Sequence, residues 1–102
     1  MDVATFVQKA EALEKLGYLA LLSSDYTVLK TEVKTAAAQL RAEHAAAKKA
    51  RRPLPFCPPG EVSMEPQELL THMRAVPVAQ RRRLQVKDAL RRMLVRKYPC
   101  RR

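Results

Sequence analysis

Eleven cations crowd the last third of the chain: Arg74, Arg81, Arg82, Arg83, Lys87, Arg91, Arg92, Arg96, Lys97, Arg101 and Arg102. They are the residues best equipped for chemistry, and the chemistry is anion recognition. A guanidinium is a rigid fork of donors that meets phosphate or carboxylate oxygens two at a time. A second basic cluster, Lys48, Lys49, Arg51 and Arg52, lies mid-chain. There the charge suits the negative end of a helix dipole, and it also has the loose form of a nuclear localisation signal. Residues 1–50 carry seven Lys/Arg against six Asp/Glu, and residues 51–102 carry thirteen against four. Nearly all of the net charge of +10 therefore belongs to the second half. Charge gathered at one end points to RNA, DNA, lipid headgroups or an acidic protein as partner.

Bond-making chemistry is poorly supplied. The two histidines, His44 and His72, have no nearby Ser, Cys or carboxylate arrangement that would form a relay. Glycine occurs only at positions 17 and 60, so no Gly-rich phosphate loop exists. Cys57, His72 and Cys100 are too scattered for a zinc site, which needs closely spaced ligand pairs. The reading is therefore no enzyme, no metal, no cofactor and no small-molecule substrate. Two cysteines make a weak disulfide framework, and the expectation is free thiols in a reducing compartment. Met1-Asp2-Val3 resembles neither a secretory signal nor a cleavable transit peptide. The longest apolar run, Tyr18–Leu22, is too short to span a bilayer.

These groups need elements to hold them, and the hydrophobic spacing is helical throughout. A first helix is expected from Asp2 to Leu22, capped by Asp2, with a seam at Val3, Phe6, Ala10, Leu13, Gly17 and Ala20. Gly17 inside it marks either a close helix–helix approach or an early end. Ser23-Ser24-Asp25 breaks the pattern and supplies new caps. The second helix then covers Tyr26 to Lys49, with Tyr26, Leu29, Val33, Ala36, Leu40, Glu43 and Ala47 along its seam, the glutamate interrupting its apolar run. Two seams joined by so short a turn predict a long antiparallel helical hairpin over residues 1–52. Val3, Phe6, Leu13, Tyr26, Leu29, Val33 and Leu40 form its protein-interaction seam.

Four prolines within Pro53–Pro59 then exclude helix and predict an extended strap, a connector over residues 53–62. Leu54 and Phe56 in it either pack back on the hairpin or anchor a partner. Residues 63–102 hold a short helix from Glu65 to Ala75 and a basic amphipathic helix from Pro77 to Lys97. Pro77 suits a first turn, Pro99 ends the helix, and Ala79, Val86, Leu90, Met93 and Leu94 form its apolar stripe, with Tyr98 extending it by a turn. The fold class is all-α.

With 102 residues there is room for one marginal core, and a chain of this kind completes its burial against partners. The functional expectation is a non-catalytic structural subunit of a large assembly. The first candidate is a ribonucleoprotein such as an organellar (mitochondrial) ribosome, with the Arg-rich helix contacting RNA and the hairpin contacting neighbouring protein subunits. The second is an accessory subunit of a mitochondrial respiratory complex or ATP synthase, with an anionic membrane surface as the alternative anion. The third is a nuclear or cytoskeletal helical adaptor. The expected location is mitochondrial, with nuclear or cytoplasmic as the alternative.

Overall fold

The structure is a computed structural model that describes residues 1–60 and 62–100. It is all-α. The helices are α1 (Val3–Leu16), α2 (Ser24–Lys49), α3 (Pro66–Arg74) and α4 (Val86–Lys97), with 3₁₀ turns at Gly17–Leu22 and Val78–Gln80.

Local chemistry explains most helix ends. The Asp2 carboxylate accepts the Thr5 amide at 2.7 Å and caps α1. That bond is the first cause holding the Asp2 carboxyl below its ordinary value, and nearby Arg82 adds the least. The Ser23 hydroxyl accepts the Asp25 amide at 3.2 Å and caps α2. At the end of α2 the Arg52 amide donates to Ala47 at 2.9 Å and the Arg51 amide to Lys48 at 3.2 Å. This closes a Schellman turn, whose left-handed position glycine usually fills. Here Arg51 takes it, at φ 57°. An L-residue in that region costs roughly 1 kcal/mol.

Two helix boundaries differ from the sequence expectation. The first helix does not run to Leu22. Gly17 turns at φ 59° and ends α1, and the next six residues form a 3₁₀ segment. No atom lies within 4 Å of where a Gly17 side chain would begin, so its role is the turn and not a close helix approach. The fourth helix starts at Val86, nine residues after Pro77. Between them the chain spends its carbonyls elsewhere. Arg81 accepts the Ala4 amide at 3.2 Å, and Leu84 accepts the Val3 amide at 2.8 Å. The Val86 amide in turn donates to Met1 at 3.0 Å. A carbonyl bonded to a distant segment is lost to a local helix.

The long α2 is the spine. Lys9 pairs with Asp25 at 3.0 Å and the Met1 amino group with Glu32 at 3.1 Å, so α1 runs along the early part of α2 in the opposite sense. Further along α2, Glu43 meets Lys87 and Arg91 of α4. Helix α3 packs on both α1 and α4. One core cluster runs through all four helices and takes in Val3, Leu40, Met73 and Leu90, each 2 % exposed or less. A large apolar side chain buried this fully contributes about 1.5–3 kcal/mol.

The proline segment is fixed across the end of α4. Phe56 is 3 % exposed and stacks at 5.1 Å on His44 of α2. Leu54 is half-buried. The Cys57 amide donates to Tyr98 at 2.8 Å. Cys57 and Cys100 are joined by a disulfide, which corrects the expectation of free thiols. They lie 43 residues apart, so no sequence rule pairs them. Packing of the strap across α4 brings their Cα atoms to 4.9 Å, within bonding reach.

Candidate functional site

Two surfaces carry groups that the fold itself does not use. One is cationic and the other apolar.

Of the eleven cations anticipated as anion ligands, five are consumed internally. Arg74 pairs with Glu11 and Glu14 of α1. Arg81 folds back to donate to the carbonyls of Val76 and Arg74, each at 2.9 Å. Lys87 and Arg91 share Glu43, at 3.3 and 2.9 Å, and Arg91 also meets Asp88 at 2.9 Å. The bond from Arg91 is the first cause holding the Glu43 carboxyl below its ordinary range, and Lys87 adds to it. Lys97 bonds Glu68 at 2.8 Å and the Ser63 carbonyl at 2.7 Å, and its ammonium pKa is raised mainly by Glu68. Exposed ion pairs of this type add only about 0–1 kcal/mol each to stability. Their consequence is geometric, because they tie up the charge and aim it inward.

Four arginines remain. Among the described residues, Arg82, Arg83, Arg92 and Arg96 have no carboxylate partner, and all four are exposed. Arg92 and Arg96 stand one turn apart on α4, both near His72 of α3. The imidazole of His72 is held below its ordinary pKa, first by burial and then by the charges of Arg96 and Arg92. A neutral imidazole beside two uncompensated guanidiniums is a local excess of positive potential. Lys48, Lys49, Arg51 and Arg52 are also exposed and, among the described residues, free of ion pairs. Arg101 and Arg102 lie outside the described residues.

The anticipated interaction seam lies mostly in the chain's own core. Val3, Phe6, Leu13, Leu29 and Leu40 are buried there, while Val33 is half-buried and Tyr26 exposed. Phe56 of the strap faces inward, and Leu54 only partly so.

Sequence reasoning missed the second surface. Phe6, Ala10 and Leu13 of α1, Tyr26, Leu29 and Val33 of α2, and Met64, Leu69 and Leu70 at α3 line an open groove of about 520 Å³. Gly17 and Ala20 form one edge of it. From that same 3₁₀ segment, Tyr18 is 95 % and Leu22 84 % exposed, with Leu19 and Leu21, and Leu16 at the end of α1, also at the surface. The signal was present in the sequence as Tyr18–Leu22, whose large apolar residues are too many for one face of a helix. Large apolar side chains grouped at the surface mark a candidate interaction site.

Among the described residues, no three His, Cys, Asp or Glu side chains gather as a metal site. No helix of the described chain is long and apolar enough to cross a membrane. Fold and surfaces together define a small all-α protein with a single core, a row of uncommitted arginines and an uncovered apolar groove. The chain matches no family model, and no curated protein or solved structure is similar to it.

Proposed function

We propose that this chain is a non-catalytic structural subunit of a large assembly, a ribonucleoprotein such as a mitochondrial ribosome, and that it contacts RNA through α4 and the turn that leads into it. One observation carries the reading. Arg82, Arg83, Arg92 and Arg96 stay exposed without carboxylate partners while the cations around them are paired. Backbone phosphates suit guanidiniums of this kind, which bind shape and charge rather than base sequence. The N-terminal helices, seated on α2, supply the protein-facing side.

The test is migration of the native protein on a density gradient, with and without ribonuclease, joined to a charge reversal. Co-migration with large RNA that ribonuclease abolishes is the expected result. Reversing Arg92 and Arg96 to Glu is expected to weaken RNA association and to lower the slope of log affinity against log salt by about one per lost phosphate contact. Unchanged affinity and slope would remove α4 from any RNA interface.

A second reading has its own support. The Cys57–Cys100 disulfide fits an oxidising compartment, since such bonds are rare in the cytosol and nucleus. Together with the exposed Tyr18–Leu22 run, it favours an accessory subunit of a membrane-associated mitochondrial complex over a nuclear or cytoskeletal adaptor. Ribonuclease-resistant co-migration with detergent-solubilised complexes is its signature.

A further inference from the structure

We infer that the groove between α1, α2 and α3 is the seat of an acidic amphipathic helix from a neighbouring protein. This deepens the reading of the chain as a subunit, and rests on it, by assigning the chemistry of one partner. The groove is lined mostly by apolar side chains and is open to solvent, as a site for the apolar stripe of a helix must be. Its volume of about 520 Å³ lies within the range of ligand-binding clefts.

The charges at its rim set the sign of the partner. Lys30 and Lys34 of α2 line the groove one turn apart, and among the described residues neither meets a carboxylate. The acid on the other side, Glu14, is already neutralised by Arg74. The uncommitted charge at the groove is therefore positive, in a chain of net charge +10. Carboxylates flanking an apolar stripe complement it, and lysines there are repelled. A single acyl chain laid in the groove would leave Tyr18, Leu19, Leu21 and Leu22 in water. A helix with its connecting segment covers both the groove and that ledge.

The probe is a designed helical peptide of about 16 residues with a leucine stripe and flanking glutamates, compared with its twin carrying lysines in their place. Binding to the full chain is read by fluorescence anisotropy. The glutamate peptide is expected to bind at least about tenfold tighter than the lysine peptide. The double substitution Lys30→Glu/Lys34→Glu lies on exposed positions, so the fold persists, and it is expected to invert that preference. Ala10→Trp, which fills the floor, is expected to abolish binding of both peptides, with circular dichroism checking that the helices remain.

Equal binding of the two peptides, or a preference unmoved by the lysine reversal, overturns the proposal. So does adsorption to phosphatidylcholine–phosphatidylglycerol vesicles without peptide binding, which would make this a lipid-facing surface. The arms separate this inference from the RNA reading. Arg92→Glu/Arg96→Glu must leave peptide affinity unchanged, and Lys30→Glu/Lys34→Glu must leave direct binding of the purified chain to RNA unchanged.

Discussion

The end of α4 and the end of α1 are built in opposite ways. At the end of α4 the strap brings Phe56 into the core and joins Cys57 to Cys100. It also hands the Ser63 carbonyl to Lys97, and the Tyr98 hydroxyl and Ser63 amide lie at 3.3 Å. Most polar groups there have partners, the buried His44 Nε2 beside Phe56 being an exception, and Phe56 has cover. At the end of α1, Gly17 stops the helix and the next five residues turn Tyr18, Leu19, Leu21 and Leu22 outward beside the apolar groove. A small chain has too little apolar surface to close both ends. This one closes the first and leaves large apolar side chains at the surface of the second, so substitutions at the two ends should differ in their cost to stability.

The sharpest way to break that comparison is a cavity on the closed side. Leu90→Ala is expected to lower unfolding free energy by about 2–5 kcal/mol in urea titration, because Leu90 is 1 % exposed. Leu22→Ser on the open side should stay within about 0.5 kcal/mol of the parent in the same titration. A comparable loss from both would show that the 3₁₀ segment is structural after all.

Next in size is the disulfide. It closes a loop of 43 residues, and replacing Cys57 and Cys100 with Ser is expected to cost about 2–4 kcal/mol, chiefly by freeing the unfolded chain. The loss should appear equally on adding reductant to the parent. A variant that unfolds at the parent midpoint would mean that Phe56 and the Cys57–Tyr98 hydrogen bond hold the strap by themselves.

Smallest is the response of His72, which sharpens the account of the free arginines. Its pKa in the fold lies below the ordinary 6.5, so the native state takes up its proton less readily than the unfolded chain. The sign follows from linkage: stability is complete well above pH 6.5 and declines as pH falls through that value. Imidazole NMR titration measures it directly. Arg92→Glu/Arg96→Glu should raise the His72 pKa, and saturation with a polyanion should do the same. No movement in either case would place these charges elsewhere.

Much of the local structure was legible. Asp2 and Ser23 were readable as caps, Gly17 as a possible stop, and the three–four spacing of Leu29, Val33, Ala36 and Leu40 as a buried face, because each depends on neighbours within four or five residues. The start of α4 was not readable. Pro77 is a sound first-turn residue, yet the carbonyls of Arg81 and Leu84 accept amides of Ala4 and Val3 from some eighty positions away. The cations illustrate the same divide. Asp88 is spaced to reach either Arg91 or Arg92 in sequence, and the approach of Glu43 on α2 to Arg91 helps make one an internal partner and leaves the other a free surface charge.

Sequence alone determined that the chain is helical and that its positive charge lies at one end, since periodicity and composition act over short range and need no partner to express them. Tertiary structure decided which charges remain available, which cysteines meet and which apolar face stays open. Those outcomes depend on distances between segments far apart in the chain, and such distances exist only once the helices have packed.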